Sequence, residues 1–247
     1  VGLRKIWVDD GVVYLNGVAI KFRGVNRHDS NPYTGATVTR EDVIRDLQLM
    51  KESNVNAIRT SHYPNAPYFP ALCSEYGFYM IAEADLESHG VGTLYTNDGH
   101  DCMGYIAQDD AWAESILDRQ KRNVIRDKNQ SAVIFWSLGN ESGYGGNFED
   151  AGRWVKAYDP TRLLHYEASI YNSAGYHNDV SMLDVMSRMY ADTEWVKEYC
   201  EDRRMRKPFI QCEFIHAMGN GKYTLKAVRR GKNGWGKAGV NDTTAPF

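Results

Sequence analysis

Two glutamates follow apolar segments that have the pattern of buried β-strands. Glu141 comes at the end of the segment VIFWSLGNES, which begins at Val133, and Glu213 comes at the end of the segment PFIQCEF, which begins at Pro208. In folds that alternate strands and helices, ligands bind at the carboxyl ends of the strands. If both strands belong to one barrel, the two carboxylates share one mouth and can work as a general acid/base and a nucleophile. The alternative for Glu141 is an ordinary solvated loop acid.

Polar side chains also follow other predicted strands. They are His28, His62, the pair Glu87 and His89, and Tyr190. Such positions carry the chemistry of barrel enzymes. A histidine at a strand end is equally well known as a structural residue, so His28 and His62 have that second interpretation.

Seven segments have the apolar character of strands, and most are followed by a segment with helical periodicity. The predicted strands are Phe22 to His28, Asn56 to His62, Phe78 to Leu86, the segment from Val133, Leu163 to Ala168, Asp184 to Tyr190, and Pro208 to Phe214. Helices are predicted from Thr39, over Ala66 to Tyr76, from Asp110, from Asn147, and over Thr193 to Arg203. The connection from Gly90 to Asp109 is long, which favours a functional loop.

Strict alternation of this kind is typical of a doubly wound open sheet or of a (β/α)8 TIM-type barrel. The open sheet needs a glycine-rich phosphate loop after a strand, and the sequence has neither G-x-G-x-x-G nor G-x-x-x-x-G-K-[ST] there. We therefore predict an α/β barrel with seven recognisable β/α units.

The chain divides into three parts. Residues 1–19 form a predicted lead-in β-hairpin around Asn16-Gly17, and residues 20–220 form the barrel. Residues 221–247 contain six basic residues, five glycines and one acid, and they lack the pattern of an eighth strand. A barrel open at that point exposes two sheet edges. We therefore expect a second chain or a homo-oligomer to close it.

Composition excludes some classes of partner. The net charge is -3, and the six basic residues of the tail leave 23 basic and 31 acidic residues before it, so neither a nucleic acid nor an anionic membrane is an expected partner. No apolar run approaches the roughly 18 residues of a membrane span, and no signal peptide is recognisable at the N-terminus. Four cysteines without C-x-x-C spacing favour free thiols, and we expect a cytoplasmic protein.

Six motifs together resemble the catalytic barrel of family 2 glycoside hydrolases, in its β-galactosidase branch. They are GVNRH (24–28), RTSHYPN (59–65), ESHG (87–90), WSLGNES (136–142), MYA (189–191) and CEFIHAMGN (212–220). The resemblance covers roughly residues 5 to 220. β-Glucuronidases and β-mannosidases share the Asn-Glu pair on strand four, so they remain alternatives.

The resemblance implies cleavage of β-D-galactosides with retention of configuration. It makes Glu141 the acid/base and Glu213 the nucleophile, with Asn140 bonding the sugar 2-hydroxyl. The other implied substrate-binding residues are His28, His62, Met189, Tyr190 and His216. No organic cofactor is implied.

The resemblance also implies an activating Mg2+ held by Glu87, His89 and Glu141. Without it, Glu-x-His is a weak metal signal, because Mg2+ prefers shells made of oxygen ligands alone. Met189 can equally be core packing. We expect Arg59 to pair with a carboxylate in the barrel mouth, with Glu213 as a candidate partner, and Phe135 and Trp136 to be core.

Two other functions stay open. A non-catalytic barrel that binds carbohydrate would explain the missing eighth strand. Metal-dependent hydrolysis by Glu87, His89, His62 and His216 is less favoured, because the histidines lack close helical spacing and two strand-end glutamates would be unexplained.

Overall fold

The structure is a computed structural model that describes residues 2–91, 104–170, 177–202 and 206–214. The predicted tail, 221–247, which lacks the pattern of an eighth strand, and His216 lie outside the described residues. Within the described residues, none of the helices is both long enough and apolar enough to span a lipid bilayer.

The N-terminal segment is a small antiparallel sheet with three strands, β1 (Ile6–Asp9), β2 (Val12–Leu15) and β3 (Val18–Ala19). The predicted turn at Asn16-Gly17 joins β2 to β3, and both of its residues have positive φ. A second turn with positive φ, at Asp10-Gly11, joins β1 to β2. The prediction of a single hairpin therefore missed one strand, although Asp-Gly is as good a turn signal as Asn-Gly.

Five parallel strands then form one sheet whose spatial order follows the chain order. They are β4 (Gly24–Arg27), β5 (Ala57–Thr60), β6 (Tyr79–Glu83), β7 (Val133–Ser137) and β8 (Leu163–His165). A parallel sheet in simple chain order, with helical crossovers, is the wall of a β/α barrel. The predicted fold class is confirmed.

Two further strands, β9 (Met186–Ser187) and β10 (Phe209–Ile210), pair in parallel with each other. The backbone N–H of Asp184, just before β9, donates to Leu164 O of β8 at 3.0 Å. These bonds place β9 and β10 next in order after β8, so all seven predicted strands are present, most of them shorter than predicted.

The helices are α1 (Arg40–Glu52), α2 (Phe69–Tyr76), α3 (Tyr105–Gln108), α4 (Ala113–Asp127), α5 (Gly146–Tyr158) and α6 (Thr193–Glu201). Thr39 caps α1 as predicted, in a capping box with Asp42. Two predictions need correction. Asp110 lies inside a 3-10 turn (Asp110–Trp112) that Asp109 caps, and the connection before it contains α3.

The larger apolar core lies between the strands and the helices, and Trp136 belongs to it. A second core packs the N-terminal sheet, through Ile6 and Val13, against Ile81 and Phe135 of the barrel strands. Phe135 and Trp136 are buried, as predicted.

Candidate active site at the carboxyl ends of the strands

Glu213 follows β10 and is surrounded by donors. Its carboxylate accepts hydrogen bonds from the Tyr190 hydroxyl and, at 3.3 Å, from Nη1 of Arg59. Nε2 of His62 lies 3.6 Å from the same oxygen that Arg59 contacts. Glu213 is only 8% exposed. Donors and a positive charge stabilise an ionised carboxylate at a buried position. The predicted pair of Arg59 with Glu213 is confirmed.

Arg59 connects this carboxylate to the end of strand β7. Its Nη2 donates to Oδ1 of Asn140 at 2.7 Å, and its Nε donates to Oε2 of Glu83 at 2.6 Å. Burial disfavours the guanidinium charge, but the neighbouring carboxylates of Glu83 and Glu213 outweigh it and raise the pKa of Arg59. The guanidinium thus holds side chains from three strand ends in one cluster.

Glu141 lies in a tight turn after β7. Gly139 has φ 143°, and a Cβ there would lie 2.6 Å from Leu86 O, so only glycine fits. Asn140 N donates to Leu86 O at 2.9 Å, and Glu141 itself has φ 38°. The backbone N–H of Glu141 donates to Oε1 of Glu167 at 2.7 Å. Burial raises the pKa of Glu167 to about 8, so this carboxyl is mostly protonated at neutral pH.

The predicted metal ligands lie together at the rim. One ligand atom from each of Glu87, His89 and Glu141 lies within 4.8 Å of the others. Nδ1 of His89 contacts Oε2 of Glu141, and this hydrogen bond raises the pKa of His89. Nδ2 of Asn140 donates to Oε2 of Glu87 at 2.6 Å. Two carboxylates and one imidazole fit a divalent cation.

The two predicted binding histidines face each other. The His28 and His62 rings are 5.4 Å apart in an edge-to-face arrangement, and Nδ1 of His28 lies 3.3 Å from the Tyr63 hydroxyl. Burial and the adjacent His62 and Arg59 lower the pKa of His28 to about 4, so this ring is neutral at pH 7. Met189 is 6% exposed, which is what packing in the core would also give.

Three buried residues of the cluster escaped the sequence analysis: Glu83, His165 and Glu167. Glu83 and His165 lie within their strands rather than after them, and Glu167 lies in a 3-10 turn (Glu167–Ile170) after β8. A search for polar residues after strands passes over the first two. A charged residue inside a buried strand is the signal that would have found Glu83, since buried charges need partners.

The comparisons with known proteins concern most of the chain. Residues 6–230 match the family described as "Glycosyl hydrolases family 2, TIM barrel domain". A "Beta-galactosidase" of Actinobacillus pleuropneumoniae is 49% identical over 89% of this chain and 24% of its own length. A "Beta-galactosidase" of Staphylococcus xylosus is 43% identical over 93% of this chain and 23% of its own length. The chain thus spans about a quarter of the length of these relatives.

Solved structures resemble the fold at lower identity. A β-glucuronidase from Ruminococcus gnavus in complex with uronic isofagomine has a TM-score of 0.71 and 21% identity, over 89% of this chain and 40% of that one. A β-D-glucuronidase of Dictyoglomus thermophilum has a TM-score of 0.66 and 22% identity, over 88% of this chain and 40% of that one. At these identities the similarity concerns the barrel fold alone.

Proposed function

The chain belongs to family 2 of the glycosyl hydrolases, through their TIM barrel domain, and on that premise we propose a retaining glycosidase that cleaves terminal β-D-galactosides. The relatives named β-galactosidase, at 43% and 49% identity, support the galactoside. Because they are about four times longer than this chain, the activity of the whole protein is inferred from this domain.

The observation that carries the proposal is the contrast between the two glutamates. Glu213 is buried and accepts from Tyr190 and Arg59, so its carboxylate is held in one orientation, as a nucleophile requires. The Glu141 side chain is 31% exposed at the rim, where its oxygen contacts His89. Their environments therefore differ in the way that separates a nucleophile from a proton donor. Burial and the hydrogen bond to Glu213 raise the pKa of Tyr190, and the negative charges of Glu213 and Glu141 raise it further. Tyr190 therefore lies near both glutamates, which supports the proposal that they share one barrel mouth.

In the first step, the protonated carboxyl of Glu141 gives its proton to the glycosidic oxygen. The bond between that oxygen and the anomeric carbon breaks, and a carboxylate oxygen of Glu213 attacks the anomeric carbon from the opposite face. An alcohol leaves, and a glycosyl ester forms on Glu213. The Tyr190 hydroxyl and Arg59 keep the attacking carboxylate in one orientation, which lowers the entropic part of the barrier.

In the second step, the Glu141 carboxylate removes a proton from a water molecule. The water oxygen bonds to the anomeric carbon as the ester bond to Glu213 breaks. Two inversions give net retention, and both carboxyl groups return to their starting states.

Residues around the pair bind the sugar in this proposal. Asn140, fixed by Arg59 and Glu87, bonds the 2-hydroxyl, an interaction that tightens in the transition state. The remaining sugar contacts are assigned to His28, His62, Met189, Tyr190 and His216.

We propose that Glu87, His89 and Glu141 hold Mg2+. The ion would supply a fixed positive charge beside the acid/base. The proximity of their ligand atoms supports this assignment.

The test is hydrolysis of nitrophenyl β-galactoside by the protein and by Glu141→Gln and Glu213→Gln. We expect turnover in the parent protein, release of the β-anomer first by proton NMR, and loss of turnover in both variants. Unchanged turnover in either variant contradicts its assigned role. Preference for nitrophenyl β-glucuronide contradicts the assigned sugar but leaves the mechanism, and galactose binding without turnover contradicts the enzymatic assignment.

A further inference from the structure

Glu83 is a completely buried carboxylate at the end of β6. Three side chains point donors at it: Nε of Arg59 at 2.6 Å, Nδ1 of His62 at 2.8 Å and the Ser137 hydroxyl at 2.7 Å. Burial alone would raise the pKa of Glu83, but Arg59 and the bonds from His62 and Ser137 lower it overall. Glu83 is therefore ionised at neutral pH and accepts every one of these bonds.

A chain of hydrogen bonds leads to Glu83 from the neighbouring strands. The Ser137 hydroxyl gives its proton to Glu83, so its oxygen must accept from Nδ1 of His165, 2.9 Å away. His165 is fully buried and neutral, because burial and the charge of Arg59 lower its pKa to about 3. A neutral ring with a proton on Nδ1 has a bare Nε2, which accepts from the Ser187 hydroxyl at 2.9 Å.

The direction of every bond in this chain is thus fixed. Protons point from β9 through β8 and β7 to the carboxylate on β6. Because each hydroxyl and ring has one arrangement, the Glu83 carboxylate cannot rotate without leaving a buried donor unpaired, which is unfavourable.

Glu83 also determines what faces the nucleophile. Since Nδ1 of His62 donates to Glu83, the other ring nitrogen, Nε2, is the one that lies 3.6 Å from Oε1 of Glu213. Arg59 likewise contacts both carboxylates, because its Nε donates to Glu83 and its Nη1 donates to Glu213. The carboxylate of Glu83 therefore fixes the orientation of two groups that lie next to Glu213, the Arg59 guanidinium and the His62 ring.

We propose that Glu83 is a positioning residue for Glu213, acting through Arg59 and through a His62 tautomer protonated at Nδ1, and that the Ser187–His165–Ser137 chain keeps its carboxylate in place. The catalytic consequence rests on the proposed function, whereas the tautomers of the two histidines do not. A carboxylate is required because it offers acceptors to three donors. A glutamine of the same shape has one acceptor oxygen and brings a donor NH2 group, so at least one donor loses its partner.

The test uses the protein labelled with 15N at its histidine rings. At about pH 8.5, where free imidazole is neutral, we expect His62 and His165 both to be protonated at Nδ1. In Glu83→Gln we expect His62 to switch to the Nε2-protonated form, because the new NH2 group turns Nδ1 into an acceptor. We expect kcat/KM for nitrophenyl β-galactoside to fall about 100-fold, the cost of misplacing a reacting group.

The matched control is Asp85→Asn, two residues away, where the side chain is 68% exposed and paired with Arg119. This variant should keep the histidine spectrum and keep kcat/KM within about twofold, since exposed ion pairs contribute little. A second variant, Ser137→Ala, removes one link and no charge. It should change the His165 signals and leave His62 protonated at Nδ1.

Three results would overturn the proposal. They are a His62 protonated at Nε2 in the parent protein, a His165 that titrates near pH 6.5, and an unchanged His62 spectrum in Glu83→Gln. The first two need only the parent protein, so a poorly folding variant does not weaken the test. Absence of galactoside turnover in the parent protein would contradict the proposed function, but the tautomers of His62 and His165 could still be measured.

Discussion

Glu141 and Glu213 carry the same functional group, but the side chains around them favour different catalytic roles. Glu213 is enclosed by Tyr190 and Arg59, which both favour negative charge at that point. Glu141 is at the rim, and its backbone N–H donates a hydrogen bond to the side chain of Glu167. Proton donation needs access to the leaving group, and nucleophilic attack needs a fixed, charged oxygen. The local contacts provide each at one of the two positions.

Glu167 is expected to hold the acid/base in place through the backbone. Glu167→Gln retains an oxygen that can accept from the N–H of Glu141, whereas Glu167→Ala leaves that N–H unpaired and an empty volume beside it. We expect the Gln variant to stay within about tenfold of the parent kcat and the Ala variant to fall by about 100-fold. Steady-state kinetics with nitrophenyl β-galactoside measures both. Equal losses in the two variants would show that the accepted bond is unimportant.

His165 should make stability depend on pH. Its pKa in the folded chain is about 3, whereas an unfolded histidine titrates near 6.5, so only the unfolded chain binds this proton in between. The contribution is complete above about pH 6.5 and is lost progressively as pH falls toward 3. Per pH unit in that window, the parent protein should lose about 1.4 kcal/mol more than His165→Gln.

Urea unfolding at pH 7.5, 6.0, 5.0 and 4.5 measures this difference. His28, with a folded pKa of about 4, adds a similar slope in both proteins, so the comparison with His165→Gln isolates one group. Parallel stability curves for the two proteins would mean that His165 binds its proton in the folded state.

At the scale of single residues, the sequence predicted the site residues that follow strands but not those that lie within strands. Glu87, His89, Glu141 and Glu213 come after apolar runs, and the structure places them at one end of the barrel. Glu83 and His165 lie within runs that predict a buried strand, so a pattern search treats them as interruptions. Their partners come from other strands, and no spacing in the sequence records which strands are neighbours.

At the scale of elements, the end of β7 and the end of β6 act as one unit. An isolated parallel bridge joins Glu87 to Asn140, and Asn140 N donates to Leu86 O. The pairing of these strands therefore continues beyond both of them and brings the proposed metal ligands Glu87 and His89 beside Glu141. The turn at Gly139 makes this possible, because its positive φ brings the backbone close to Leu86.

Gly139→Ala tests this arrangement. A Cβ would lie 2.6 Å from Leu86 O, and the residue would keep a φ of 143° that L-residues avoid. We expect a loss of roughly 2–4 kcal/mol in the free energy of unfolding. The fall in kcat/KM, expressed as a free energy, should be larger than this loss. Gly90→Ala is a suitable control, since nothing lies within 4 Å of a Cβ there. A Gly139→Ala protein with normal kinetics would exclude a tight turn at this point.

The order of elements was predictable and their lengths were not. Seven strands and the cap at Thr39 follow from apolar periodicity and capping chemistry. Strands β9 and β10 are only two residues long, although the apolar patterns predict seven residues each. In both segments the chain soon leaves the ladder to present Tyr190 and Glu213 to the mouth, a demand that a local pattern does not show.

At the scale of the whole molecule, the barrel separates structural from chemical tasks. The N-terminal sheet packs on the barrel strands through the second core. At the carboxyl ends of the strands, Arg59, Glu83 and Glu213 are buried charges that satisfy one another. These mutual contacts support a rigid site, because moving any of the three side chains would leave a buried charge unpaired.

Removal of divalent cations should reduce activity without abolishing it. In the proposed mechanism both bond changes at the anomeric carbon are made by glutamates, and the cation only adds charge near Glu141. We expect about a tenfold fall in kcat with a chelator, equivalent to about 1.4 kcal/mol, and recovery with Mg2+. Glu87→Gln should be less sensitive to both treatments. Complete loss on chelation would instead favour hydrolysis by the metal.

The central claim is that Glu213 forms a covalent glycosyl ester. An activated 2-deoxy-2-fluoro-β-galactoside should trap this ester, because the fluorine destabilises the cationic transition state of both steps and the good leaving group rescues only the first. After proteolysis, mass spectrometry should find one fluorogalactosyl group on the peptide that carries Glu213. A label on Glu141, or continued hydrolysis without any label, would contradict the account.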